Sequence, residues 1–317
     1  MTFEQIVHNY KEFLVSQNCS DRTIDSYGSY AKRFINFLQK YYPRVMSVEM
    51  ITTDVLMDYQ NYLSNYEWKN GELLSISTQR LLLRALKSFF RYLVKKDLIL
   101  KDLSVAITLP REEQRVIRNV LSEKEVLRVL DRIRCTDPLK IRNRAIVELL
   151  YSCGIRTSEL CTLRIQDVDL KEQTVTIIKG KGNKSRIVPI GQYAVFYIQM
   201  YLDKARKYML RGKRTDPGIL FLSQRGNPFN KSTINKTVIQ SVMRQAKLKK
   251  PISCYTFRHS VATHLLANKV DVMYIAKLLG HASLKTTQNY LRVEITDLKK
   301  MHSLYHPRET KNLNPTI

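Results

Sequence analysis

The sequence predicts a mainly α protein with a small β-sheet, made of an all-helical N-terminal domain and a mixed α/β C-terminal domain. Throughout the first hundred residues, apolar side chains recur at the three- and four-residue spacing of amphipathic helices. Two short β-branched runs, joined by a glycine-containing turn, lie only in the second part of the chain. A polar segment that starts with Pro110 separates the two parts. We therefore place the helical domain at 1–108, a linker at 109–119 and the second domain at 120–306.

The N-terminal domain is predicted to contain four or five helices. The first covers 3–17 and the second about 23–40. A third helix is expected to begin at Thr52 or Thr53, since threonine is a favourable N-cap residue, and to run to Leu63. A fourth is expected to open at Ser77 and to continue to Leu93.

The second domain is expected to begin at Ser122, because Ser122 and Glu125 have the spacing of a capping box. A helix over 140–153 should stop at Gly154. The runs Thr174-Val-Thr-Ile-Ile and Arg186-Ile-Val-Pro-Ile predict a hairpin, to which 219–222 could add a third strand. Further helices are predicted over 192–210, 231–247, from about Ser253 and from Val272 to a stop at Gly280. The polar tail 307–317 is expected to be loosely held.

Charge is the most informative feature of the composition. The chain of 317 residues carries a net +25. Residues 1–110 hold 14 basic and 11 acidic side chains, so that +22 lies in 111–317. Such an imbalance predicts a polyanionic partner, with nucleic acid as the default. No apolar run reaches the ~20 residues of a membrane span, and the N-terminus lacks the pattern of a signal peptide. We expect a cytoplasmic protein.

The five cysteines are scattered and do not have zinc-site spacing, so we expect reduced, partly buried thiols. The sequence also shows no carboxylate cluster suited to Mg²⁺. Neither a metal nor another cofactor is predicted.

Three ordered motifs suggest a chemical site. The C-terminal one places Arg258 on a helix with a buried stripe, His281 just after a helix end, and Tyr290 nine residues later. Upstream lies Leu149-Leu-Tyr-Ser-Cys-Gly-Ile-Arg-Thr-Ser-Glu-Leu, and between the two lies Lys179-Gly-Lys-Gly-Asn-Lys-Ser-Arg-Ile-Val-Pro. Together these motifs resemble the signature of the tyrosine recombinases, the family of phage integrases and Xer-type enzymes. The helical N-terminal domain is similar to the core-binding domain of that family.

The resemblance implies a role for each matching residue. Tyr290 would be the nucleophile that forms a 3′-phosphotyrosyl bond with DNA, which stores the ester energy without ATP or metal. Arg156 and Arg258 would clamp the non-bridging phosphate oxygens. Lys181 would be the general acid for the leaving 5′-oxygen, with Lys179 and Lys184 as rivals, and His281 would hydrogen-bond the phosphate.

Other predicted site residues are less specific. Glu159 lies one helical turn after Arg156 and should pair with a basic group, either in the active site or in a purely structural ion pair. Lys184 and Arg186 are candidates for DNA binding. His264 follows Arg258 by six residues, so it should lie on another helical face and be structural.

Tyr255 departs from the family pattern, which usually has histidine three residues before its second arginine. A phenol can donate a hydrogen bond to phosphate, but its pKa near 10 makes it a poor proton shuttle at neutral pH. Three interpretations remain for Tyr255: a phosphate donor, which we favour, a packing residue, or a second nucleophile.

The function implied is site-specific DNA recombination by four protomers on two double-stranded DNA partners, with accessory proteins as an option. Integration or transposition of a mobile element and Xer-like dimer resolution share these motifs. The alternatives are a type IB topoisomerase and a DNA-binding regulator that has lost catalysis. In the family, a C-terminal segment docks on a neighbouring protomer, and we expect this of 290–306, with docking on its own domain as the alternative.

Overall fold

The structure is a computed structural model that describes residues 1–67, 71–111, 120–178, 185–280 and 295–310. The chain separates into two compact units, Met1–Arg115 and Val116–Ile317. Helices predominate in both, and the small sheet lies in the second, so the predicted fold class is confirmed.

The described residues of the N-terminal unit form four α-helices, close to the predicted ones: α1 (Phe3–Ser16), α2 (Asp21–Tyr41), α3 (Thr53–Ser64) and α4 (Ile76–Lys95). Thr52 is at the N-cap of α3, as expected, whereas α4 is capped by the Ser75 side chain and not by Ser77. The core is aromatic. Phe34 meets the ring of Tyr59 edge-on at 5.0 Å, and Tyr10 meets Phe89 in the same way at 5.1 Å.

The second unit is built around one helix, Pro138–Cys153, which is buried along most of its length. The elements of this unit in chain order are α5 (Glu123–Arg132), α6 (Pro138–Cys153), α7 (Thr157–Thr162), β1 (Val168–Asp169), β2 (Thr174–Ile177), β3 (Arg186–Pro189), α8 (Gln192–Met200), α9 (Arg206–Met209), α10 (Lys231–Ile234), α11 (Gln240–Ala246), α12 (Cys254–Ala267), α13 (Val272–Leu279), α14 (Ile295–Tyr305) and α15 (Pro307–Thr310). A short π-helical segment connects α8 to α9, and a second one connects α10 to α11. The capping box of Ser122 and Glu125 opens α5, as predicted. Helix α6 packs against α8 and α12.

Glycine ends two of the helices that lead towards the predicted site. Gly154 follows α6 with φ of +59°, and Gly280 follows α13 with φ of +63°. This left-handed conformation is strained for residues with a Cβ atom, which is why the two glycines stop their helices where the sequence predicts.

The sheet is antiparallel with the strand order β1-β2-β3, and Val175 pairs with Val188 across β2 and β3. The prediction of a third strand at 219–222 is wrong, since the third strand is Val168–Asp169. Ile219 and Leu222 make only single bridges, to Arg164 and Pro228. Residues 220–222 are fully apolar and buried, and a short buried run does not by itself distinguish a strand from another buried segment.

The C-terminal segment is helical, and helix α14 packs against β3 of its own domain within the single chain. The tail that follows differs from the expectation. Residues 307–310 form α15 instead of a loose tail, and Arg308 is only 6% exposed. The reason is that Arg308 is paired with the buried Glu148 at 2.8 Å. Residues 311–317 and Tyr290 lie outside the described residues.

No helix within the described ranges is both long and apolar enough to cross a membrane.

Candidate active site

Four elements bring the described site residues together. Arg156 directly precedes α7, Arg186 begins β3, Arg258 lies in the first half of α12, and α13 ends beside all three. Helix α12 packs against α6 and α13, so that Arg258 is only 4% exposed. The left-handed turn at Gly154 redirects the chain from the buried α6 to Arg156.

Glu159 is the centre of the site. Its carboxylate accepts two parallel hydrogen bonds from Arg186, from Nη1 to Oε1 and from Nη2 to Oε2, each of 2.8 Å. Arg156 donates from Nη1 to Oε1 at 2.9 Å and from its backbone N–H to Oε2 at 2.8 Å. We call Glu159, Arg156 and Arg186 the Glu159 cluster. The predicted pairing of Glu159 with a basic group is thus present in the structure, with both Arg156 and Arg186 as partners.

The carboxyl end of α13 accepts one hydrogen bond from each of three arginines. Leu278 O accepts from Arg186 Nε at 3.3 Å and Leu279 O accepts from Arg258 Nη2 at 2.7 Å. Gly280 O accepts from Arg156 Nη2 at 2.5 Å. Carbonyl groups at a helix C-terminus lack helical partners and carry partial negative charge, so arginines are favourable there. This helix end directly precedes His281 in the chain.

The electrostatics of the site shift the pKa of Glu159 and of Arg258. Burial disfavours the Glu159 carboxylate, but the hydrogen bonds and charges of Arg186 and Arg156 outweigh it and lower the pKa of Glu159 to about 2. Burial and the neighbouring Arg156 lower the pKa of Arg258 to about 10, which leaves it protonated at neutral pH. One carboxylate thus faces three guanidinium groups, and the excess positive charge suits an anionic ligand.

Tyr255 lies on the exposed side of the α12 N-terminus. Its side chain is 61% exposed, and its ring meets the ring of His259 edge-on at 4.1 Å. Such exposure does not fit the interpretation of Tyr255 as a packing residue. His264, in contrast, is 7% exposed and lies within hydrogen-bonding distance of Tyr151 Oη and Leu121 O, so the prediction of a structural role holds.

Arg186 differs from the prediction. It was a candidate for DNA binding, but its side chain is only 12% exposed and its three nitrogens all donate within the protein. In the structure, Arg186 begins β3 and pairs with Ile177 of the half-buried β2, which places its side chain on the inner side of the hairpin. The predicted site residues Lys181, Lys184, His281 and Tyr290, and the rival Lys179, lie outside the described residues.

Family models match both parts of the chain. The model described as "Phage integrase family" matches residues 119–296, and the model described as "Phage integrase, N-terminal SAM-like domain" matches residues 6–100.

Curated relatives extend over nearly the whole chain. "Tyrosine recombinase XerC" of Halalkalibacterium halodurans is 34% identical over 296 residues, which cover 93% of this chain and 94% of the relative. "Tyrosine recombinase XerD" of the same organism is 31% identical and covers 96% and 99% of the two chains.

Two solved structures have the same fold. XerH site-specific recombinase bound to its difH substrate matches with a TM-score of 0.66 at 24% identity and covers 93% of this chain and 79% of its own. A lambda integrase (75–356) dimer bound to a core site matches with a TM-score of 0.65 at 20% identity and covers 93% and 100%. Together with the family models and relatives, this shows that the chain belongs to the phage integrase family of tyrosine recombinases and is a site-specific DNA recombinase.

Proposed function

We propose that this recombinase cuts and rejoins DNA through Tyr290. The phenol of Tyr290 loses its proton to solvent as its oxygen attacks the scissile phosphorus, the bond to the 5′-oxygen breaks, and a 3′-phosphotyrosyl ester remains. Lys181 donates the proton that leaves with the 5′-hydroxyl, and His281 donates a hydrogen bond to the phosphate. Rejoining reverses these steps with a 5′-hydroxyl of the partner strand. Because one ester replaces another, no external energy source enters the reaction.

The observation that carries this proposal is the shared position of Arg156 and Arg258. Both donate to consecutive carbonyl groups at the end of α13, so their guanidinium groups converge from two different elements. The Arg156 side chain is 36% exposed and retains N–H groups for a ligand. In this position two fixed cations can bind the phosphate and stabilise the negative charge of the transition state.

We propose that Tyr255 donates a hydrogen bond to the same phosphate. Its exposed position beside Arg258 on α12 leaves the phenol accessible to DNA. A neutral phenol can supply the contact of the family's usual histidine without exchanging a proton at neutral pH.

The proposed partner is double-stranded DNA carrying specific recombination sites. Solved relatives include a lambda integrase dimer on a core site and a lambda integrase tetramer on a Holliday junction. By similarity we propose that this chain is a monomer or dimer when free, and that four protomers join two DNA partners. The +22 charge of 111–317 supports such a partner. We further propose that 1–108 clamps the duplex, that 109–119 is a linker, and that the protein acts in the cytoplasm, bound to the nucleoid.

Similarity to two proteins named XerC and XerD supports a role of the Xer type, such as the resolution of replicon dimers, over integration or transposition of a mobile element. The same similarity, which extends over both units, does not favour a topoisomerase or a regulator without catalysis.

A nicked suicide substrate tests the proposal. The wild-type protein should form a covalent complex that migrates slowly in a denaturing gel, and Tyr290→Phe should bind the same DNA without forming it. A covalent complex with the phenylalanine variant would show that Tyr290 is not the nucleophile.

A further inference from the structure

Arg186 stands out among the arginines of the site because no predicted catalytic role accounts for it, although all three of its guanidinium nitrogens donate within the protein. Nη1 and Nη2 donate to the two oxygens of Glu159, and Nε donates to Leu278 O. Each nitrogen of the guanidinium group is thus already engaged within the protein. Its function must therefore be sought in what it holds.

Arg186 connects three segments that carry proposed catalytic residues. Through Glu159 it supports Arg156, which donates hydrogen bonds to the same carboxylate from both its side chain and its backbone. Through Leu278 O it holds the end of α13, three residues before His281 in sequence. It also begins β3, five residues after Lys181.

We infer that Arg186 is a positioning residue for DNA cleavage. It holds the Glu159 carboxylate against Arg156, and it holds the carboxyl end of α13 in place through Leu278 O. The inference rests on the proposed function of Arg156. Arg186 itself makes no contact with DNA in this role. Loss of its guanidinium group should therefore slow cleavage without weakening DNA binding.

The geometry requires arginine and not another cation. A guanidinium is planar and can donate to both oxygens of a carboxylate while its Nε donates elsewhere, whereas an ammonium is a point charge without this fork. The neighbouring Gly280 allows the approach, because a Cβ atom built there would lie 2.9 Å from Arg186 Cζ. The absence of a side chain at Gly280 therefore serves both the left-handed turn and the seating of Arg186.

The first experiment compares Arg186→Lys with Arg206→Lys as a matched control. Arg206 is another buried arginine, with 6% of its side chain exposed, and it forms a bidentate pair with Asp216 at 2.5 and 2.6 Å. Three measurements are made on each variant: thermal stability, DNA affinity by gel shift, and the rate of covalent complex formation on the nicked substrate.

We expect Arg186→Lys to lower the cleavage rate by about tenfold to a hundredfold, in the range seen when a preorganised anion donor is displaced. Its DNA affinity should stay within about twofold of the wild type, because Arg186 makes no phosphate contact. Arg206→Lys should cleave at the wild-type rate at temperatures where both variants are folded. Wild-type cleavage by Arg186→Lys would overturn the inference, and so would an equal loss in both variants.

A pH profile separates positioning from general structural support. The groups around Glu159 are Arg156 and Arg258, the Cys153 thiol, and Arg164 and Asp167 in the loop after α7. With one guanidinium removed in Arg186→Gln, the pKa of Glu159 should rise from about 2.

In Arg186→Gln, the Glu159 carboxylate therefore loses its charge at a higher pH than in the wild type. Its ion pair with Arg156 is lost at the same pH. The ratio of wild-type to Arg186→Gln cleavage rates should therefore grow as the pH falls from 7 towards 4.5, the ordinary pKa of a glutamate. In a background with Glu159→Gln the ratio should be flat, since no titrating carboxylate remains. A ratio that grows equally in both backgrounds would refute the inference.

Failure of the role of Arg186 can be distinguished from failure of the proposed function. If the wild-type protein forms no covalent complex, the proposed function fails before any Arg186 variant is compared. If the wild-type protein and Arg206→Lys cleave and Arg186→Lys cleaves equally well, only the role of Arg186 fails.

Discussion

Two glutamates in the second unit each hold two arginines, yet the two clusters do different things. Glu159 is paired with Arg156 and Arg186, with 9% of its side chain exposed. Glu148, on α6, is 2% exposed and accepts from Arg144 Nε at 2.9 Å and from Arg308 Nη2 at 2.8 Å. We call the second group the Glu148 cluster. Charge and residue types are the same in both.

The difference lies in what the remaining faces of the arginines contact. In the Glu148 cluster, Arg144 covers the ring of Tyr197 at 4.4 Å and also donates to Leu130 O. Arg308 covers the ring of Tyr193 at 3.8 Å. These guanidinium groups are enclosed by protein and bind α15 to the domain. In the Glu159 cluster, Arg156 keeps an exposed face. An arginine–carboxylate cluster thus becomes a ligand site only where donors remain available.

The largest effect should follow from breaking the Glu148 cluster. Glu148→Gln leaves two buried guanidinium groups without an anion, and breaking a buried ion pair costs about 3–5 kcal/mol. Urea unfolding at pH 7 should show this loss. Glu172→Gln is the control, because its pair with Lys299 at 3.4 Å is exposed and should contribute less than about 1 kcal/mol.

At low temperature, where Glu148→Gln is folded, its cleavage rate should equal that of the wild type. An unchanged free energy of unfolding would mean that the buried pair does not stabilise the domain. A loss of cleavage in the folded variant would mean that the Glu148 cluster serves the reaction after all.

For Arg156 and Arg258, in contrast to Glu148, we expect the substitution to lower the cleavage rate. Arg258→Ala and Arg156→Ala should each lower the rate of covalent complex formation by about two to three decades, as when other preorganised anion donors are removed. A single-turnover assay with excess protein over nicked DNA measures this rate directly. Cleavage within about threefold of the wild type in either variant would remove that arginine from the phosphate site.

The contrast between the clusters also shows what the sequence could predict. The proximity of Arg156 and Glu159 was predictable from helical spacing, and that of Arg258 was implied by the family resemblance. Glu148 and Arg308 are 160 residues apart, and nothing local in either segment indicates a partner. The tail was accordingly expected to be loose, whereas the structure packs Arg308 against α6.

Arg186 was misplaced for a related reason. Its position after a lysine-rich hairpin favoured a DNA contact, and the fact that β3 turns this side chain inward depends on the tertiary packing of α7 and α13. The helices, in contrast, were predictable to within a few residues at each end, because amphipathic spacing and glycine stops act locally.

The stability of the second unit should depend on pH through His302, which lies outside the Glu159 cluster. His302 is buried beside Ser152 O at 2.8 Å, and its ring stacks on His306 at 4.5 Å. Burial lowers the pKa of His302 to about 4, from an ordinary value of 6.5. Between these values the unfolded chain binds a proton that the folded chain excludes, so stability rises with pH over this window and is lost as the pH falls.

The His302 contribution should amount to roughly 2 kcal/mol between pH 7 and pH 5, by proton linkage. Urea unfolding at the two values measures it, and His302→Gln should show a drop smaller by about that amount, because glutamine can still donate to Ser152 O without titrating. Equal drops in both proteins would show that His302 does not titrate in this range on unfolding.

The smallest effect is expected for Tyr255→Phe, which removes one hydroxyl at the exposed edge of the site. A neutral hydrogen bond contributes about 0.5–1.5 kcal/mol, so covalent complex formation should slow by about threefold to tenfold. DNA affinity should be nearly unchanged, because the phenol adds one contact to a binding surface dominated by charge. Tyr255→His should retain activity, since imidazole can donate the same hydrogen bond. A hundredfold loss in Tyr255→Phe would mean that the phenol transfers a proton, with His259, whose ring centroid lies 4.1 Å from that of Tyr255, as a candidate partner. No loss at all would leave the exposed ring without a role in cleavage, and the two arginines would then hold the phosphate without it.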